Sequence, residues 1–252
     1  LILVTNDDGI TAPGIRALIE VMNTLGDVYV VAPDTPQSAK GHAITINDTL
    51  YCNSITVTKG QPQIEFSCSG TPVDCVKIAV NEILKRKPDL CVSGVNHGSN
   101  SSINVIYSGT MSAAVEAGTL GIPSIGFSLL DYSLEADFEP AKKYITLLVK
   151  QCLEKGLPKG VVLNVNIPKL PEKDIKGIKV CRQANAHWEE KFDKRTNPLG
   201  RDYYWLTGEF VNEDKGEDTD EWALHHGYVS VVPVQFDLTA HHAIKDINTW
   251  DI

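Results

Sequence analysis

The sequence predicts an α/β fold: a Rossmann-like, mostly parallel sheet flanked by helices, with β-rich C-terminal extensions suited to oligomerisation. Three observations predict it. Short continuous apolar runs recur at Leu1 to Thr5, Val28 to Val31, Leu90 to Val95 and Val161 to Ile167, the pattern of strands buried on both faces. Segments with apolar residues at helical spacing lie between them. The 252 residues are enough for one large α/β domain with an appendage. The expected division is an α/β core over residues 1–174 and an extension and oligomerisation region over residues 175–252 that packs on it.

The elements follow in order. After the first strand, Pro13 sits where a first helical turn tolerates it, and Ile15, Leu18, Ile19, Met22 and Leu25 follow at helical spacing until Gly26. Val28 to Val31 returns as a strand stopped by Pro33, which completes a β-α-β unit. Residues 34–70 are less regular. A polar loop, Thr35 to His42, precedes Ile44 to Ile46, Ile55 to Thr58 and Ile64 to Cys68, three short stretches that read as strands or a hairpin. Thr71-Pro72-Val73-Asp74 has the form of a helix start, with a hydroxyl cap, Pro at the first position and an acid placed for free amides. That helix is expected to carry Val73, Val76, Val80, Ile83 and Leu84 inward and to end by Pro88.

A strand at Leu90 to Val95 leads into the Gly/Asn/Ser-rich loop Gly94 to Asn104. Tyr107-Ser108-Gly109-Thr110 then opens a helix with small residues on its inner face. Strand Ile122 to Leu129, a helix from about Glu139 to Lys155 and strand Val161 to Ile167 continue the alternation. Beyond Ile175 the sequence turns aromatic and charged, with Trp188, Tyr203-Tyr204-Trp205 and an acidic run from Glu213 to Glu221; only Tyr228 to Val234 reads clearly as a strand.

Composition narrows the function. The hydrophobic fraction of 42% and charged fraction of 22% are those of a globular chain. No stretch approaches the roughly 18 to 20 apolar residues that span a bilayer. The numbering opens on a strand-like run with no basic or apolar leader, so the expected location is the cytoplasm. A net charge of −9 argues against a nucleic-acid polymer as partner, because polyanions are held by clustered Lys and Arg. The six cysteines form no Cys-x-x-Cys pair, and none is followed six positions later by Arg as tyrosine-phosphatase chemistry needs. They read as reduced, small hydrophobes.

In open parallel sheets, ligands bind beyond the carboxyl ends of the strands. Those ends carry Asn6-Asp7-Asp8-Gly9, then Gln37-Ser38-Ala39, then Asn96-His97-Gly98-Ser99-Asn100, with Ser108-Gly109-Thr110 at a helix N-terminus. Gly9 allows the backbone to turn so that the two carboxylates converge. Without a cation they repel each other, and a divalent ion removes that penalty. Carboxylates, a hydroxyl and an amide carbonyl form an oxygen-only shell, which suits Mg²⁺, Mn²⁺ or Ca²⁺ rather than Zn²⁺. The helix N-terminus is an anion site. A nucleophilic Asp of the haloacid-dehalogenase kind follows Asp-x-Asp spacing, whereas these acids are adjacent. A receiver-like signalling module is the competing class; it needs an acceptor Asp where this chain has Asn96 and His97.

These stretches also carry a resemblance. Ile2 to Gly9, Ala32-Pro33 with Gln37 to Ala39, Ser69 to Cys75, Ser93 to Asn96 through Gly98 and Asn100, and Tyr107 to Thr110 with Ala113-Ala114 and Glu116 resemble the SurE (survival protein E) family of 5'/3'-nucleotidases. Leu163 to Pro168, Gly200-Arg201, Tyr203 to Trp205, Thr219-Asp220 and Gly227 to Ser230 extend the likeness over nearly the whole chain. The resemblance implies one divalent metal held by Asp7, Asp8, Ser38 and Asn96, and a phosphate received by Ser108, Gly109 and Thr110 beside Asn6 and Asn96. It further implies hydrolysis of nucleoside 5'-monophosphates, with 3'-nucleotides and short polyphosphate taken by some members, and assembly as homodimers or homotetramers. Asp7 or Asp8 is expected to orient or deprotonate the attacking water, and His97 is a candidate substrate contact. Two departures stand out: Ser102 where the family usually has Gly, and Asn197-Pro198-Leu199-Gly200-Arg201 where it usually reads Asp-Pro-Arg-Gly-Arg.

Overall fold

A computed structural model describes residues 1–133 and 135–251. β1 (Ile2–Thr5), α1 (Pro13–Met22) and β2 (Val28–Pro33) form the opening β-α-β unit. β3 (Cys52–Ile55), β4 (Ile64–Cys68) and α2 (Pro72–Ile78) follow, then β5 (Leu90–His97), α3 (Gly109–Thr119), β6 (Ser124–Leu129), α4 (Glu139–Lys155) and β7 (Val161–Ile167). The remainder is β8 (Ile178–Val180), β9 (Ala186–Thr196), β10 (Asp202–Asn212), α5 (Asp220–His225), β11 (Val229–Gln235) and α6 (His241–Ile247).

The main sheet runs β3-β4-β2-β1-β5-β6-β7-β11-β8. Every pair from β4 to β7 is parallel, and only β3 on β4 and β11 on β7 run antiparallel. Alternation along each strand feeds two cores. Ile2 and Val4 of β1 pack with Ile15, Leu18 and Met22 of α1 and with Ile145 and Val149 of α4. Leu3 faces the other way, with Cys75 and Val76 of α2 and Ala113 and Ala117 of α3. That two-sided burial is why these strands read as unbroken apolar runs.

Chain order reverses at the centre of this sheet. From β1 the chain steps outward to β2 and β4, then returns to place β5 on the other side of β1. The crevice between the carboxyl ends of β1 and β5 is thus the switch point at which doubly wound sheets bind ligands.

Three expectations are corrected. Ile44 to Ile46 is not a strand: the Thr45 NH and hydroxyl bond to the Asp74 carboxylate instead of to a neighbouring strand. The helix after Thr71 changes to a π-helical turn over Ala79–Ile83. The last third is β-rich as expected, but it has four strands among the described residues where only Tyr228 to Val234 reads clearly as one. β9 and β10 form an antiparallel ribbon, Phe210 opposite Trp188 and Leu206 opposite Phe192. It is exposed along most of its length, so nothing imposes the apolar alternation by which a strand is recognised.

Candidate functional site

The switch point holds a cleft of about 370 Å³ lined by Asp7, Asp8, Ser38, Asn96 and Ser108. Five sequence-predicted residues thus converge on it. Asn6, Gly109 and Thr110 do not line it but stand directly behind, bonded or packed against those that do.

The turn after β1 presents the acids. Gly9 adopts φ +100°, a left-handed conformation that a side chain would strain. Asn6 Nδ2 donates to the Gly9 carbonyl at 2.9 Å and fixes the turn. The Asp7 carbonyl accepts from the Gln37 NH at 2.7 Å, which ties the Ser38 loop to the end of β1. The Gly41 NH donates to the Tyr107 carbonyl and ties the same loop to the segment before α3. Ser38 itself is exposed.

Asp7 is 4% exposed, and the Thr110 hydroxyl donates to its Oδ1. Burial, and then the neighbouring Asp8 carboxylate, push the Asp7 carboxyl up from an ordinary 3.8 to about 6 against the opposing hydrogen bonding from Thr110. Gly109 makes this approach feasible, since a Cβ there would stand 2.7 Å from the Asp7 Cβ. Asp8 Oδ2 accepts from the His97 NH at 3.2 Å, and the His97 ring Nδ1 lies 3.4 Å from the same oxygen. The ring is wedged edge-on against Phe138 at 4.9 Å, so His97 addresses Asp8. Neither Asp7 nor Asp8 has a Lys or Arg ion-pair partner among the described residues.

Asn96 Nδ2 donates to the carbonyls of His97 and Gly98 at 3.1 and 2.9 Å. Its Oδ1 accepts no hydrogen bond among the described residues and is the free acceptor of that amide. Behind it, buried amides hold the loop. The Asn100 NH donates to Asn166 Oδ1 at 2.8 Å, Asn100 Nδ2 to Ser128 Oγ at 2.8 Å, and Asn164 Nδ2 to the Asn100 carbonyl at 2.8 Å. Ser102 stands at φ +51°, in the left-handed region that favours glycine. It is held there by its NH on Asp220 and its hydroxyl on the Ala184 carbonyl, both at 2.8 Å.

Ser108 caps α3, its Oγ accepting from the Met111 NH at 3.0 Å. The leading NH groups of that helix have no partner within it and give the cleft a positive end.

No group of three or more His, Cys, Asp or Glu able to hold a metal occurs among the described residues. A cation here would therefore rest on two carboxylates completed by neutral oxygens, Ser38 Oγ and Asn96 Oδ1. The residues present fit a hard divalent ion, since the adjacent carboxylates have no Lys or Arg among the described residues to offset them.

Sequence reasoning missed Asn104, Tyr132 and Trp188, which also line the cleft. Tyr107, read in the sequence as the approach to a helix start, lines the cleft as well. Trp188 arrives from the β9–β10 ribbon, a partner no local pattern reveals.

Fold and cleft together define the class: a doubly wound α/β protein with an acidic, oxygen-lined site and a helix N-terminus at its switch point. The family described as "Survival protein SurE" matches residues 2–190. The chain belongs to that family. The 5'-nucleotidase SurE of Christiangramia forsetii is 75% identical over 252 residues, covering 100% of this chain and 97% of that protein. The protein of the same name from Flavobacterium psychrophilum is 73% identical, covering 100% and 98%. The crystal structure of the SurE protein from Aquifex aeolicus has a TM-score of 0.84 to this chain at 41% identity and covers 98% of each.

Proposed function

We propose that this chain is a metal-dependent phosphatase that hydrolyses nucleoside 5'-monophosphates to nucleoside and phosphate, and that it also accepts 3'-monophosphates and short polyphosphate. One observation carries the reading: the Asp7–Asp8 pair, without a Lys or Arg partner among the described residues, stands against the N-terminus of α3. Asp7, Asp8, Ser38 and Asn96 would hold one Mg²⁺ or Mn²⁺, with Ca²⁺ a weaker fit to catalysis. Bound there, the cation supplies charge neutralisation at the phosphoryl oxygens and acidifies water. The N-terminus of α3, with Ser108, Gly109 and Thr110, receives the phosphate. Asp8, held by His97, orients the attacking water, and Asp7, held by Thr110, is the deeper ligand.

The names of the relatives support the nucleotide substrate. No helix among the described residues is long and apolar enough to cross a membrane, which is consistent with work in the cytoplasm on small phosphate esters. The exposed apolar ribbon, with Phe192 and Leu206 on one face and Trp205 on the other, supports a homodimer or homotetramer.

The test is phosphate release from AMP with Mg²⁺ or Mn²⁺ and with a chelator. Release should need the metal, and Asp7→Asn and Asp8→Asn should each reduce it to background. Near-normal turnover in both variants would exclude the assignment.

A further inference from the structure

The cleft does not end at the acids. Its far wall is aromatic, with Tyr107, Tyr132 and Trp188. A second cavity of about 350 Å³ shares Ala39, Tyr107 and Trp188 with it and continues over Leu206 and Gly208 of the ribbon. Those three shared residues mark the junction of an acidic cavity and an apolar one.

Trp188 is fixed at that junction rather than merely exposed there. Its indole Nε1 donates to Asn104 Oδ1 at 2.8 Å, which spends the one polar atom of the ring on the protein. Its edge meets Phe210, the register partner on β10, with centroids 5.6 Å apart and planes at 62°. The side chain is nevertheless 42% exposed. Next along the same face of the ribbon, Glu190 is paired with Gly208, which adds no side chain of its own to the cavity wall beside Trp188. A pre-oriented aromatic face with open space beside it takes a flat, weakly polar ring.

We infer that Trp188, held by Asn104 and flanked by Tyr107, is the stacking seat for the nucleobase of the substrate. The inference rests on the proposed reaction, since it needs the phosphate at the acidic end of the same cleft. A nucleoside monophosphate joins a dianion to an aromatic ring through one sugar, and the two joined cavities match that order of chemistry. Stacking uses the π-face that every base has, so it tells nucleotides from simple sugar phosphates without choosing strongly among bases. Trp188 is in this sense a specificity-determining residue, and Asn104 is a positioning residue that acts through it.

The test compares steady-state hydrolysis of AMP and ribose 5-phosphate by the full chain with Mn²⁺. Trp188→Ala should raise KM for AMP about 10-fold with kcat within about twofold, while the change on ribose 5-phosphate is at least about fivefold smaller. Trp188→Phe should recover most of the loss, and Asn104→Ala should give a smaller rise in KM of the same kind. Trp188→Leu keeps an apolar neighbour for Phe210 but no flat ring, so it carries the test should the alanine variant not fold. An unchanged KM for AMP, or equal losses on both substrates, would overturn the base seat. A wild-type chain that releases no phosphate from AMP would instead overturn the reaction itself.

Discussion

At the residue scale, the buried acid behind the cleft makes a pH prediction. The Asp7 carboxyl titrates near 6 in the folded chain against an ordinary 3.8, so the folded state holds that proton more tightly than the unfolded state. Its contribution to stability is present at low pH and is lost as pH rises from 3.8 to about 6. A cation and this proton compete for the same oxygens. Apparent Mn²⁺ affinity should therefore fall about 10-fold between pH 7 and pH 5, read by calorimetric titration; a level affinity across that range would contradict the role of Asp7. Ser102 makes a second prediction. Ser102→Ala keeps the left-handed backbone and strips the Ala184 carbonyl of its buried donor, at a cost of about 1 to 3 kcal/mol. Ser102→Gly loses the same bond but relieves the backbone, so it should melt higher than the alanine variant, by about 1 kcal/mol in stability. The sequence made Asp7, Asp8, Ser38, Asn96 and Ser108 legible because each follows a strand end or opens a helix. It marked Thr110 as part of a phosphate-receiving helix start but not as the donor to Asp7, and it hid Tyr132 and Trp188, because their loops and strands reach the cleft only through tertiary packing.

At the scale of elements, the start of α2 was the clearest sequence signal and is the best place to test local stability. Thr71 and Asp74 form a reciprocal capping box. The same Asp74 carboxylate accepts from the Thr45 NH at 3.0 Å and the Thr45 hydroxyl at 2.6 Å. Burial pushes this carboxyl up, but the hydrogen bonds from Thr45 and Thr71 outweigh it and hold it below the usual range. Its stabilisation is therefore present above the unfolded pKa and is lost as pH falls through the lower folded value. Asp74→Ala should cost about 2 kcal/mol and lower Tm by roughly 4 to 8 °C. Limited proteolysis should then open residues 40–50, which lose their anchor. Core strands were legible because burial on both faces writes an apolar run into the sequence. The ribbon was not, because β9 alternates Trp188, Glu190, Phe192 and Lys194 on one face with charged residues on the other, and Lys and Glu are poor strand markers.

At the scale of the molecule, the ribbon standing off the α/β body sets the expected assembly. Light scattering should give two or four times the 27.6 kDa of one chain, and charge substitutions at Phe192 and Trp205 should shift the mass toward a single copy. A wild-type mass of one chain would remove the oligomer. The end of the chain also reaches back to the site. β11 pairs with β7 inside the main sheet, and Asp220, fully buried, takes the NH groups of Ser102 and Ala184. The Ser102 contact closes a sequence separation of 118 residues. During synthesis β1, β5 and both acids emerge well before Asp220 does, so the loop that carries Asn96 lacks this clamp until Asp220 has been made. Until then the acids face a loop that nothing ties to Asp220, and the order of synthesis sets the order in which the cleft is made firm.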